Sequence, residues 1–192
     1  MECTSALRSR EGGALFPRPT MNSAENSQIR RATSADVPVL ASLRFEFRSR
    51  RKNPVETAAE FMPRCIDWMR PRVADESRWR VWVLEHDGGI VGNIWLELIE
   101  KLPNPNVERE LHGYVTNFFI RPERRNLGAG SRLLKAVLDE CERARVDSVF
   151  LWPSDRSRPL YERHGFVPAS DIFVLARDQE TAGATGPSRD HP

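Results

Sequence analysis

Apolar positions recur at two spacings along this chain, and the switches between them mark its elements. Ile29 to Ala32 predicts a short first strand. Thr33-Ser34-Ala35-Asp36 carries the side chains of a capping box, so a helix should open there and run to about Arg51. Its apolar stripe is Val37, Leu40, Leu43 and Phe47. Asn53-Pro54 breaks it, and Thr57 to Met69 repeats the helical spacing through Phe61, Cys65, Trp68 and Met69. Arg80 to Glu85 and Ile90 to Ile99 predict two strands joined at Asp87-Gly88-Gly89, a strong hairpin signal. Leu102 to Glu110, with Pro103 and Pro105, reads as a loop, and His112 to Ile120 as the next strand. A helix follows from near Ser131 to about Ala144, with Leu133, Leu134, Val137, Leu138 and Cys141 along one face. Val149 to Trp152 is wholly apolar, which predicts a central strand. Arg158 to His164 suits a short helix, and Phe166 to Leu175 suits closing strands. The predicted order is β-α-α-β-β-β-α-β-α-β-β, without internal repeats.

Length and composition narrow the picture. At 192 residues the chain suits one domain with a proper core, assigned here to residues 28–177. Residues 1–27 are polar and read as a disordered extension, with Met21 an alternative start, and 178–192 read as a flexible tail. A net charge of +2, from 29 basic and 27 acidic residues, argues against a broad nucleic-acid surface. No apolar run approaches the ~20 residues of a membrane span, and the first residues lack the apolar core of a secretion signal. Three cysteines at unrelated spacings argue for a reducing compartment, so the expected location is cytoplasmic. No metal site is expected, because His86, His112, His164 and His191 show no ligand spacing.

Chemistry enters at Arg125-Asn126-Leu127-Gly128-Ala129-Gly130, between the strand ending at Ile120 and the helix that follows. A glycine-bearing turn that opens a helix presents N–H groups with no intrahelical partner, at the positive end of the helix dipole. Gly128 and Gly130 allow an anion such as a pyrophosphate to approach, and allow φ > 0 where the turn needs it. The turn is not a dinucleotide fingerprint, since Gly130 is followed by Ser131, Arg132 and Leu133 rather than by a third glycine. Nor is it a phosphate loop, which requires Gly-Lys-Ser/Thr.

From Asn117 the chain reads Asn-Phe-Phe-Ile-Arg-Pro-Glu-Arg-Arg-Asn-Leu-Gly-Ala-Gly-Ser-Arg-Leu-Leu. This stretch resembles the acetyl-CoA-binding motif of the GNAT N-acetyltransferase superfamily. Leu160-Tyr161-Glu162-Arg163-His164-Gly165-Phe166 resembles a second segment of that family. The resemblance implies an α/β (α+β) fold with a mixed, mostly antiparallel central sheet flanked by helices, and a splayed parallel strand pair that holds the cofactor. It implies acetyl transfer from acetyl-CoA to a primary amine of an unidentified small-molecule or peptide acceptor, with no nucleic-acid or membrane partner. Dimers are common among such proteins, so a homodimer is compatible with it.

The same resemblance assigns roles. Backbone groups of Leu127, Gly128, Ala129, Gly130, Ser131 and Arg132 would hold the pyrophosphate, with Arg125 and Asn126 opening the motif and Arg124 or Arg132 reaching a phosphate. Main-chain groups of Phe118, Phe119 and Ile120 would pair with the pantetheine arm, because the arm resembles an added strand. Ser154 stands where many members carry an asparagine, and would supply a similar hydrogen bond to the cofactor. Tyr161 matches the general acid. A thiol near pKa ~8.5 and a phenol near ~10 leave that proton transfer uphill by about 2 kcal/mol. An alkylammonium of pKa ~10.4 needs about 4.6 kcal/mol to give up its proton at neutral pH. Where relatives carry a Glu or His base, this chain has Tyr114 and Thr116. Glu97 is then the first candidate base, ahead of His112 and Glu100. Asn117, polar within an apolar strand, is a candidate site-facing hydrogen bonder or the mark of an exposed face. Two other readings compete: an acyl-CoA-binding regulatory module without turnover, and a partner-binding domain with no cofactor.

Overall fold

The Asp87-Gly88 turn sets the register of the sheet. In this computed structural model, which describes residues 26–50, 55–106, 109–170 and 172–173, both turn residues have positive φ (49° and 75°). That is the backbone of a type I′ turn, whose twist matches the strands it joins. It pairs β2 (Trp79–His86) with β3 (Gly89–Glu100), starting from His86 opposite Gly89. The chain divides into two units, Met1–Pro153 and Ser154–Pro192.

Among the described residues, the first unit holds a five-stranded sheet in the order β1-β2-β3-β4-β5. Strand β1 (Ser27–Arg31) starts at the last residue assigned above to the extension, and β4 (Leu111–Ile120) lies antiparallel to β3. The last pair is parallel: β5 (Ser148–Phe150) meets only His112, Gly113 and Tyr114 of β4. Between Val115 and Ile120 no strand lies on that side of β4 among the described residues.

The capping box at Thr33 and Asp36 forms as the sequence predicts, closing a 3-10 turn that leads into α1 (Val37–Ser49). Asp36 accepts from the Thr33 N–H at 2.7 Å and from Arg30 at 2.7 and 2.9 Å. The Arg30 guanidinium, with help from Thr33, holds the Asp36 carboxyl down to about 2. Helix α2 (Ala58–Ala74) opens on a second capping box, Thr57 with Glu60, and runs past the predicted end at Met69 and through Pro63 and Pro71. Buried Met69 and Val73 show why: the apolar stripe continues one turn further and covers the sheet.

One sheet face, through Val81, Val83 and Trp95, packs on Val37, Leu40 and Ala41 of α1 and on Cys65, Met69 and Val73 of α2. The other lies under α3 (Ala129–Arg143), where a Cβ on Gly113 would come within 3.2 Å of Leu96 and 3.4 Å of Cys141. Leu133, Leu134, Val137 and Cys141 of α3 are buried, but Leu138 is only half-buried. Cys65 and Cys141 are free thiols in these two cores.

Among the described residues β5 pairs on one side only, with β4, where the apolar run predicts a central strand. Its aromatic side chains are explained by stacking, with Phe150 5.3 Å from Tyr114 and Trp152 5.1 Å from Tyr114 between ring centres. Pro153 follows, and it has no N–H to extend a ladder. The second unit contains a 3-10 turn at Asp155–Ser157 and α4 (Arg158–Glu162). The closing strands expected over Phe166 to Leu175 are not formed at residues 166–170 and 172–173, while 171, 174 and 175 lie outside the described residues. The Phe166 N–H is taken by the Tyr161 carbonyl at 3.1 Å, and Pro168 has no donor to offer a ladder.

Candidate active site

Strand β4 contains a bulge. Asn93 pairs with Phe119 and Trp95 with Thr116, so Asn117 and Phe118 together face the single residue Ile94. Asn117 takes φ +47°, a conformation asparagine tolerates better than most residues. Its side chain is fixed from both sides: Arg44 of α1 donates to Oδ1 at 3.2 Å, and its Nδ2 donates to Oδ1 of Asn93 at 3.1 Å. Asn117 is therefore half-buried and hydrogen-bonded across the sheet, and not the mark of an exposed face. Asn93 is fully buried. Arg44 and Asn93 escaped sequence reasoning, although a polar residue in the apolar run Ile90 to Ile99 was the available signal.

Beyond the bulge, Phe119 and Ile120 are buried and Phe118 is half-buried. Phe119 packs on Phe47 at 5.3 Å. A 3-10 turn (Pro122–Arg124) then swings the chain toward α3. Arg125 is half-buried. Its Nε donates to the Ile120 carbonyl at 2.7 Å and its guanidinium lies 5.6 Å from the Phe119 ring centre, stapling the turn to the end of β4. Asn126 (φ 63°) and Gly128 (φ 75°, ψ −7°) turn left-handed, and Gly128 is the N-cap of α3. Gly130 needs no such freedom, since it lies in the first turn of the helix with ordinary φ.

The first backbone bond into this helix runs from the Arg132 N–H to the Gly128 carbonyl at 3.2 Å. The N–H groups of Leu127, Gly128, Ala129, Gly130 and Ser131 have no acceptor among the described residues. A Cβ on Gly128 would meet nothing within 4 Å, so the space beside these donors is open. Donors of this kind at the positive end of a fifteen-residue helix suit a diphosphate. The Arg132 side chain donates to the Ser27 carbonyl at 2.8 Å and Arg124 lies 3.9 Å from Asp87, so the cradle is mainly backbone.

In the second unit, Ser154 caps the 3-10 turn. Its N–H donates to Ser157 Oγ at 2.9 Å, and its hydroxyl is 2.9 Å from the same oxygen. Tyr161 is buried, hydrogen-bonded to Ser157 and 5.7 Å from Phe166 between ring centres. Burial pushes its phenol up to about 12, against a smaller lowering by Ser157.

Of the candidate bases, Glu97 lies on β3 opposite Tyr114, with its carboxylate held by Arg78, whose Nε donates at 2.7 Å. His112 shares a 2.7 Å hydrogen bond with Ser148, and Glu100 is exposed at the end of β3. Among the described residues no group of His, Cys, Asp and Glu could hold a metal ion, and no helix is long and apolar enough to cross a membrane.

A mixed sheet whose one parallel pair separates beside a strand-to-helix anion cradle defines an acetyltransferase fold. The chain belongs to the acetyltransferase (GNAT) family, whose model matches residues 44–166. A GCN5-related N-acetyltransferase from Ralstonia eutropha JMP134 is similar in structure, with 25% identity, TM-score 0.65, and 78% of this chain and 98% of that one covered. A predicted acetyltransferase from Clostridium acetobutylicum, solved with acetyl-CoA, shares the fold at 20% identity and TM-score 0.67, over 78% of this chain and 96% of its own. The Escherichia coli (strain K12) protein YafP, an uncharacterised N-acetyltransferase, is 29% identical over 103 residues. That match covers 54% of this chain and 61% of YafP, less than two thirds of the relative's length.

Proposed function

We propose that this protein transfers an acetyl group from acetyl-CoA to a primary amine. The observation that carries the reading is the set of unpaired N–H groups from Leu127 to Ser131 at the start of α3, beside the strand that β5 leaves unpaired after Tyr114. The residues fit the group: the donors suit a diphosphate, the open space at Gly128 admits it, and the free side of β4 suits an amide-bearing arm. When bound, acetyl-CoA supplies the thioester that the amine attacks.

The remaining steps belong to the chain. The α3 terminus binds and orients, and the bulge locked by Arg44 and Asn93 fixes the backbone of β4. Tyr161 holds a proton for the departing sulfur. With its phenol at about 12 against a thiol near ~8.5, full transfer is uphill by ~3.5 units, about 5 kcal/mol, more than the sequence alone implied. Tyr161 therefore serves as a relay that gives up its proton as the acylated nitrogen releases one.

The test is free-thiol release from acetyl-CoA with a panel of amines, beside the thermal shift produced by CoA. Release that drops about 100-fold in Tyr161→Phe, with the CoA shift retained, fits the proposal. A CoA shift with no release against the whole panel would mean a binding module without turnover. No shift at millimolar CoA would remove the cofactor.

A further inference from the structure

Strand register places Trp79 opposite Glu97, Glu97 opposite Tyr114, and Tyr114 opposite Phe150. Paired residues share a face, so these four form one row across the sheet. The row lies on the face of Trp95, the side covered by α1 and α2. One acid stands in this row with an aromatic on either side. Trp68, Trp79 and Trp95 cluster with ring centres 5.6 to 6.0 Å apart, while Tyr114, Phe150 and Trp152 stack beyond. Trp68 is 44% and Trp152 63% exposed, so both clusters reach solvent.

A groove of about 590 Å³ opens beside Glu97, bordered by Trp68, Arg72, Asp75, Arg78 and Trp79. Two of the protein's own guanidinium groups stand in it. Arg72 lies 4.0 Å over the Trp68 ring, and Arg78, with 65% of its side chain exposed, sits on a Glu97 carboxylate that is only 12% exposed. An indole face and a shielded carboxylate are both cation sites, and each is occupied by a cation on a long, flexible arm. Arg78 reaches in from solvent on a flexible arm, so an incoming cation that keeps the shielded Glu97 carboxylate paired can take its place.

We infer that the groove is the acceptor subsite and that it selects amines bearing a second cationic group at the far end. This rests on the acetyltransferase reading. Glu97 then recognises the distal cation instead of removing the proton from the reacting nitrogen, and Arg78 covers the carboxylate until substrate arrives. With the thioester placed beside the bulge at Asn117, three strand residues or about 10 Å from Tyr114, the inference expects the two nitrogens about that far apart.

Two measurements test this on the full chain. Acetyl transfer is followed with 1,6-diaminohexane, hexylamine and 6-aminohexanoate as acceptors. The diamine should exceed hexylamine about tenfold in kcat/KM, with the amino acid poorest. Glu97→Gln should raise the diamine KM about tenfold while kcat and the acetyl-CoA KM stay within twofold. A fall in kcat at constant KM, equal for diamine and monoamine, would make Glu97 the base and overturn the inference; so would a preference for 6-aminohexanoate.

The second measurement is calorimetric titration of 1,6-diaminohexane without acetyl-CoA, which stays decisive even where CoA binding and turnover fail. Binding lost in Glu97→Gln and tightened in Arg78→Ala supports the subsite. Absence of heat at millimolar diamine, or heat unchanged by Glu97→Gln, rejects it. Melting curves of both variants establish that they fold.

Discussion

Replacing Gly128 by leucine separates the fold from the cofactor cradle. Gly128 has φ 75°, a left-handed conformation that costs a residue with a Cβ about 1–2 kcal/mol. A Cβ there touches nothing within 4 Å, so no packing cost is added. For a chain of this size such a loss lowers Tm by roughly 2–8 °C. The consequence for ligand is much larger, because the new side chain enters the open space beside the N–H groups of Leu127 to Ser131. CoA at 100 times its Kd should stabilise the unaltered protein by about 2.7 kcal/mol, or roughly 5–11 °C. Differential scanning fluorimetry with and without CoA should show that shift abolished in Gly128→Leu. Gly128→Ala carries the same backbone strain with a smaller side chain, and should lose the same Tm yet keep part of the shift. A Gly128→Leu protein that melts like Gly128→Ala and keeps the full CoA shift would refute the assignment. A variant that fails to fold would contradict the open space around the Cβ.

Asp36→Ala removes both the Arg30 pair and the Thr33 capping box, so it should cost about 2 kcal/mol and lower Tm by roughly 4–8 °C in thermal melts. Because Asp36 is held at about 2 against an ordinary 3.8, its stabilising contribution is present above pH 4 and lost as pH falls through about 2. Acid titration of the Asp36→Ala variant should lack that component. At the other extreme, burial raises the Cys141 thiol to about 11 and the Tyr161 phenol to about 12. Each is above its unfolded value, so the unfolded chain releases these protons first. Stability should fall as pH rises from about 9 through 12, by ~3 kcal/mol per group, and the Tyr161→Phe protein should lose the later part of that fall in urea melts. For the same reason Tyr161 keeps its proton through pH 10, so a Tyr161-dependent loss of kcat/KM centred near pH 10 would contradict its burial.

Local pattern determined a good part of this protein. The hairpin at Asp87-Gly88, the capping boxes at Thr33 and Thr57, the amphipathic α3 and the strand-turn-helix cradle are written in residues a few positions apart. Turn chemistry, capping and periodicity act over that range, so the order of elements through α4 and the place of the strand-to-helix turn were legible. Only the tertiary structure decided what depends on distant partners. The apolar run Val149 to Trp152 predicts a central strand, yet among the described residues β5 pairs only with β4, where Phe150 stacks on Tyr114. Only the structure shows that the Arg125 Nε is held by the Ile120 carbonyl and that the candidate base Glu97 is paired with Arg78. Asn93 and Arg44 acquire a role only because a bulge brings Asn117 between them. A side chain's chemistry is set by what lies within about 3 Å of it. For these residues that neighbour comes from another element, which no local pattern specifies.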